Sequence, residues 1–342
     1  MDELAKPLVT TLIPTYRRPA LLGRALSCIL AQRFPGVCVQ VIDNCSGDTT
    51  PNVVESFRRR GLITKYHCHP TNIGGPRNFE SALGFVDTPY FSFLSDDDIL
   101  MPGFYQKGIE ALENHPEAIF VVQKLLFVDC NLNVKNEVGE RLQTGVHRPP
   151  EGFKSIFDHG PRTWTSMIFK SEILERERLD ISLAACSDME FIFRLAVKHS
   201  YIAVNHIGAA YVAHSSSYSG SYDHVLSDAR GRRFLYRKIL DDYPIPEHIS
   251  TYAVSRLRRS YRQRLLRAAC VALLNRDIKK AQRIIDALGE HGDNLRQTVV
   301  AAAFLLGKSI LWPCRKVVMW KDRQQRLKRL THVLGAWIQS VN

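Results

Sequence analysis

The stretch that decides the fold is Phe91-Ser92-Phe93-Leu94-Ser95-Asp96-Asp97-Asp98, an apolar run that breaks into three adjacent carboxylates. A run of this kind reads as a strand buried on both faces of a parallel sheet. Three acidic groups at its C-terminal tip then lie along the sheet edge where open α/β folds place their ligands. Carboxylates this close repel one another, and a cation relieves the repulsion. Oxygen donors favour a hard divalent ion such as Mg²⁺ or Mn²⁺. The competing reading of the triplet alone is a solvated acidic turn, so its neighbours must decide.

Upstream, strand and helix signals alternate. Leu8–Ile13 is β-branched and apolar and stops at Pro14, and Pro19–Gln32 carries an apolar stripe at helical spacing. Val37–Ile42 reads as the second strand, Pro51–Arg60 as a helix closed by Gly61, and Ile63–His67 as the third strand. A loop over Asn72–Arg77 leads into a helix at Asn78–Phe85. Tyr90–Leu94 is the fourth strand, followed by a helix at Phe104–Asn114. This order predicts right-handed βαβ units. Further on, strands are expected at Ala118–Val122, Leu125–Cys130, Thr165–Phe169 and Ala203–Val212, with helices around 171–178 and 188–199. Beyond Tyr222 only helical periodicity remains, as in Val254, Leu257, Tyr261, Leu265, Ala268 and Ala272. The expected fold class is α/β, with a mixed, mostly parallel central sheet, flanking helices and a C-terminal helical region. The expected domains are 1–224, carrying the site, and 225–342, basic and helical.

The turn after the first strand, Pro14-Thr15-Tyr16-Arg17-Arg18-Pro19, holds neither G-x-G-x-x-G nor G-x-x-x-x-G-K-[ST]. The usual dinucleotide and P-loop phosphate cradles are therefore disfavoured. Tyr16 offers a ring for stacking on a base. Asp43, ending the second strand, offers an acceptor for an imide N–H such as that of uracil or thymine. With the acidic triplet, three strand ends supply a base platform, an imide acceptor and a cation site on one edge.

These segments resemble a known family, the inverting glycosyltransferases of family 2 with the A-type nucleotide-sugar fold. The resemblance rests on Ile13–Pro19, Val41–Asp48, Asn72–Asn78 and Phe93–Asp98, in that order, within roughly residues 8–215. It implies that Pro14, Thr15, Tyr16, Arg18, Asp43, Asn72, Arg77, Asp96 and Asp97 bind the nucleotide sugar. Thr15, Tyr16 and Asp43 would hold the base, and Arg77 would face the base or the pyrophosphate. Asp97 would touch the ribose or the metal, and Asp98 with His214 would hold the metal, Mn²⁺ or Mg²⁺. Ser95 stands where the commoner Asp-x-Asp-Asp form has its first carboxylate. The segment Cys186–Leu195 resembles the family's Glu-Asp helix head, with Ser187 in place of Glu. Asp188 is then the general base for the acceptor hydroxyl, and Glu190 is the fallback. Asp188 also suits a purely structural place at the helix N-terminus. Trp164 reads as a wall of the acceptor pocket or as core. The implied reaction moves a sugar from a UDP- or dTDP-sugar to a hydroxyl of a glycan acceptor, a lipid-linked precursor of a surface polysaccharide.

Composition fits a globular protein, with 45% hydrophobic and 23% charged residues in 342. Eight scattered cysteines without a C-x-x-C pair read as reduced thiols of a cytosolic protein. The chain carries a net charge of +12, yet residues 229–342 alone hold 24 Lys and Arg against 8 Asp and Glu. The remainder is therefore net acidic, and the tail calls for an anionic partner. Val299–Leu306, Lys308, Trp312, Arg315, Lys316, Trp320, Lys321, Arg326, Lys328, Arg329 and Trp337 mix aliphatics, aromatics and cations as interfacial helices do. The expected partner is an anionic membrane surface at the cytoplasmic face, with a helical cap or a second copy of the chain as the alternative. No stretch is long and apolar enough to span a bilayer. Two other classes stay open: a nucleic-acid-binding protein led by its tail, and a non-catalytic scaffold. The first is disfavoured because the tail aromatics sit among aliphatics.

Overall fold

The computed structural model describes residues 7–62, 64–214, 231–274, 277–289 and 317–341. Strands β1 (Val9–Thr15), β2 (Val37–Asp43), β3 (Thr64–Cys68) and β4 (Tyr90–Phe93) alternate with helices α1 (Pro19–Ala31), α2 (Thr50–Arg59) and α3 (Gly75–Ala82). There follow β5 (Ile99–Leu100), α4 (Phe104–Asn114), β6 (Ala118–Asp129), β7 (Val134–Val138), β8 (Gly145–His147), α5 (Glu151–His159), β9 (Met167–Lys170), α6 (Ser187–Lys198) and β10 (Ser200–Ala213). Among the described residues the sheet runs β3-β2-β1-β4-β9-β6-β10-β5, with β7 on β6 and β8 on β10. Strands β3, β2, β1 and β4 are parallel, β9 is antiparallel to both neighbours, and β10 runs parallel to β6. The C-terminal ends of β1, β2, β4 and β10 therefore share one edge, as the α/β expectation required. Every residue of β1 and β2 is buried, which matches their unbroken apolar character.

The differences from the sequence reading have local causes. Ala118–Val122 and Leu125–Cys130 are one strand, β6, because the polar break between them is absorbed. Gln123 is buried and donates to the Phe104 carbonyl, and Lys124 pairs with Glu137. The helix expected from Asn78 begins at Gly75, after Gly74 takes a left-handed φ of 85°. The helix expected at 171–178 is a 3₁₀ turn, Ser171–Glu175.

The chain divides into two compact units, Met1–Ser221 with Arg326–Asn342, and Tyr222–Gln325. The second contains α7 (Glu247–Leu274) and α8 (Ile278–Gly289), which bury Tyr261, Leu265, Leu266, Ala269, Ala281 and Ile284 against each other. Helix α9 spans Val317–Val341. The sequence reading grouped 225–342 together, whereas Arg326–Asn342 clusters with the first unit. The cause is apolar spacing: Leu327, Leu334, Ile338 and Val341 join the core that holds Ile99, Leu100 and Val134. The run Val299–Leu306 with Lys308, Trp312, Arg315 and Lys316 lies outside the described residues. No helix among the described residues is long and apolar enough to cross a membrane.

Candidate active site

Thr15 ends β1, and its hydroxyl donates to Asp96 Oδ2 at 2.7 Å. Three residues on, Arg18 reaches the same cluster: one guanidinium nitrogen lies 3.1 Å from Asp96 Oδ1 and 2.9 Å from Asp97 Oδ2. His214, just past β10, sets Nε2 3.0 Å from that Asp97 oxygen. The cation that relieves repulsion between Asp96 and Asp97 is thus supplied within the chain. From α1, Arg24 donates to the Asp97 backbone carbonyl at 2.5 Å.

Asp98 behaves differently. It is fully buried, accepting from the Thr165 hydroxyl at 2.8 Å and from the Val212 amide at 3.0 Å. Burial, with the neighbouring Asp97 charge, pushes its carboxyl well above the usual carboxylate range, against the pull of those two donors. Burial also pushes Asp96 up to about 6, with Asp97 adding to the shift and Arg18 and Thr15 opposing it. Asp98 therefore anchors the turn to β10, while Asp97 holds the polar partners Arg18 and His214.

A second constellation lies at the ends of β2 and β3. Asp43 accepts from the Ser46 amide at 2.9 Å, the Ser46 hydroxyl at 2.5 Å and the Tyr66 hydroxyl at 2.6 Å. Three donors leave room for about one more on a carboxylate. Burial and the Asp43 charge push the Tyr66 phenol up. Asn44 donates to Asn72 Oδ1 at 2.9 Å and accepts from the Ile73 amide at 2.8 Å, tying the two loops together. Arg17 and Cys45 take left-handed φ angles of 54° and 65°, rare for such side chains. The Arg17 amide donates to Ser46 Oγ at 2.8 Å, and its guanidinium lies 5.2 Å from the Tyr16 ring centroid. Pro14 is buried in β1, and Tyr16 is half-buried.

Arg77 is exposed in the first turn of α3, and no hydrogen bond or ion pair engages it among the described residues. Asp188 opens α6, half-buried, with Oδ1 accepting from the Met189 amide at 2.7 Å. Its neighbour Glu190 is fully buried and accepts from Arg194 at 2.8 and 3.2 Å, which withdraws it from proton transfer. Helix α6 packs on the 3₁₀ turn Trp164–Ser166, whose Thr165 bonds Asp98. Trp164 itself is buried and stacks on Phe93 with centroids 4.3 Å apart. Sequence reasoning missed Ser46, Tyr66, Thr165 and Arg24. Ser46 sits in the turn already quoted, but Thr165 and Arg24 reach the site only through tertiary contacts.

Among the described residues no group of three or more His, Cys, Asp and Glu is arranged to hold a metal ion. Asp97 and His214 provide one carboxylate and one imidazole. That set fits a divalent ion which takes its other ligands from phosphate and water, as Mg²⁺ commonly does.

The geometry is matched by what the chain is similar to. Residues 10–175 match the model of Glycosyl transferase family 2. The processive diacylglycerol beta-glycosyltransferase of Mycoplasma pneumoniae is 26% identical over 129 residues, 37% of this chain and 38% of that protein. The GalNAc(5)-diNAcBac-PP-undecaprenol beta-1,3-glucosyltransferase of Campylobacter jejuni is 31% identical over 98 residues, 28% and 32% of the two chains. The chain thus spans about a third of the length of these curated relatives. Among solved structures, S. aureus TarS 1-349 in complex with UDP-GlcNAc superposes with a TM-score of 0.64 at 18% identity, covering 85% of this chain and 81% of that one. The mannosyltransferase PcManGT from Pyrobaculum calidifontis, in complex with GDP-Man and Mn²⁺, gives 0.54 at 16% identity, covering 98% and 86%. The fold is that of the A-type glycosyltransferases. By sequence, residues 10–175 are similar to glycosyltransferase family 2, and both of these curated relatives are named as glycosyltransferases.

Proposed function

We propose that the chain transfers a sugar, with inversion, from a UDP- or dTDP-sugar to a hydroxyl of a lipid-linked glycan acceptor. The observation that carries this is the bonded set Thr15, Arg18, Asp96, Asp97 and His214 on the shared edge of β1, β4 and β10. TarS, whose fold this chain shares, has been solved with UDP-GlcNAc, and the Campylobacter relative is named for a polyprenol-linked substrate.

In this reading Asp43 uses its remaining acceptor position for an imide N–H, and Tyr16 stacks on the base. Asn72 holds the loop that leads to Arg77, and Arg77 meets the diphosphate from the first turn of α3. Asp96 and Arg18 orient the ribose and phosphates. The acceptor hydroxyl attacks the anomeric carbon, Asp188 takes its proton, and the bond to the nucleoside diphosphate breaks. Asp97 and His214 would hold Mn²⁺ or Mg²⁺. Asp98 would join them only by giving up its bond to Thr165 or Val212. When bound, the ion neutralises charge on the departing diphosphate. A donor screen with Mn²⁺ over UDP-, dTDP- and GDP-sugars tests this: nucleoside diphosphate is released from a UDP- or dTDP-sugar and is lost in Asp97→Ala. Release from no donor would overturn it.

Within the second unit, the exposed cations Arg256, Arg258 and Arg259 support an anionic membrane surface as partner, on the cytoplasmic face. Flotation with anionic liposomes is the expected result. A gel shift with an oligonucleotide, or a salt-stable dimer without flotation, would refute the membrane reading.

A further inference from the structure

The Asp97–His214 pair joins two strands, and a very short element holds them in register. Strand β5 has two residues and begins directly after Asp98. It pairs antiparallel with β10 at Leu100–Ala209 and Ile99–Ala210, and the Met101 amide donates to the Gly208 carbonyl at 2.8 Å. Two residues beyond Ala210, the Val212 amide bonds Asp98, and His214 follows two residues later. The spacing of Asp97 and His214 therefore depends on where β5 sits against β10. A two-residue strand supplies few hydrogen bonds of its own, and β5 ends the strand order.

What covers β5 comes from the far end of the chain. Trp337, in α9, donates its indole N–H to the Leu100 carbonyl at 2.8 Å. Helix α9 is fastened elsewhere too: Arg326 pairs with Glu137 at 2.8 Å and Glu140 at 2.9 Å, and Thr331 Oγ1 accepts from the Val134 amide at 3.0 Å. Of these polar fastenings, Trp337 alone touches the backbone leading out of the acidic triplet. On the other side, Arg24 and Gln32 of α1 bond the Asp97 and Met101 carbonyls.

We propose that Trp337 is a positioning residue for the Asp97–His214 pair, acting through Leu100 and β5. This rests on the reading of that pair as the metal-holding side of the site. Sites of this kind lose function when their supporting groups let the ligands drift by a fraction of an ångström. Trp337→Phe keeps an aromatic ring at this position but removes the indole N–H together with part of the ring, leaving the Leu100 carbonyl without that donor. The loss of one such bond predicts about a fivefold weaker Mn²⁺-dependent affinity for UDP. Metal-free UDP affinity stays unchanged, because Tyr16 and Asp43, proposed for the base, follow β1 and end β2, and Arg18 and Asp96 are held from β1 through Thr15 rather than through β5. Thr331→Val loosens α9 away from β5 and leaves both affinities as in the wild type.

The test is titration of UDP with and without Mn²⁺ into the full chain and both variants, combined with amide exchange. In Trp337→Phe, the Met101 and Val212 amides exchange faster while those of Val39 and Val41 do not. A measurement on the wild type covers the case where the variant fails to fold. By reciprocity of linkage, Mn²⁺ with UDP slows exchange of the Trp337 indole N–H. The inference is overturned if Mn²⁺-dependent affinity is unchanged in Trp337→Phe, if metal-free affinity falls equally, or if the indole N–H does not respond. A wild type that binds UDP with no metal dependence defeats the metal reading instead; the Met101 and Val212 exchange then decides the positioning role alone.

Discussion

Helix α6 carries Asp188, and its half-buried Arg194 ties it to the segment that precedes it. The Arg194 guanidinium donates to both oxygens of Glu190, to Glu177 and to the Arg178 carbonyl. Glu190 is 0% exposed. An exposed ion pair contributes about 0–1 kcal/mol, but removing one partner of a buried pair costs about 3–5 kcal/mol, because a desolvated charge loses its counter-charge. Lys198 still meets Glu177 at 2.8 Å, so the deficit falls mainly on Glu190. Arg194→Met should therefore lower the stability of the first unit by about 3–5 kcal/mol. Urea unfolding followed by circular dichroism reads this. Glu190→Gln combined with Arg194→Met should recover part of the loss, since the buried group is then neutral. A loss below about 1 kcal/mol would instead place the pair in the exposed regime and overturn this expectation.

Other variants probe other links. Asp188→Asn should slow sugar transfer by roughly 10²-fold or more while UDP binding by calorimetry stays within about twofold, as expected for a base that acts on the acceptor. Trp164→Ala removes a buried ring stacked on Phe93 and should cost about 3–5 kcal/mol in denaturant unfolding. Burial pushes the Cys28 thiol up to about 12, so at pH 8 Cys28 stays protonated and resists iodoacetamide in the native chain. The exposed Cys68 and Cys130 should be labelled first, as peptide mass mapping would reveal. EDTA should remove activity, and Mn²⁺ or Mg²⁺ should restore it.

The parallel half of the sheet was legible because its strands are short, apolar and stopped by proline or turn residues. Val37, Tyr90 and the helix Phe104–Asn114 begin where the periodicity predicts. Strand β5 was not legible, since Ile99 and Leu100 become a strand only because β10 arrives beside them. Strand β7 and helix α5 were missed because neither carries a periodic signal long enough to stand alone. The site divided in the same way. Thr15, Arg18, Asp43, Asp96 and Asp97 stand at strand ends and announce themselves by chemistry. That Asp98 turns inward is invisible in a run of three identical residues; Thr165 and Val212 decide it from 67 and 114 positions away. The joining of α9 to the first unit was hidden by its charge, because Leu327, Leu334 and Ile338 are interleaved with Lys328 and Arg329.

In the proposed function, the edge carrying Asp96, Asp97 and His214 binds the diphosphate of a nucleotide sugar. Calorimetric titration of UDP and of dTDP into wild type and Asp97→Asn, each with and without Mn²⁺, is the decisive measurement. Mn²⁺ should enhance binding of one of them in the wild type, and Asp97→Asn should weaken that binding at least tenfold, a loss of about 1.4 kcal/mol or more. Equal affinities in the two proteins, or binding of neither nucleotide by the wild type, would rule that role out.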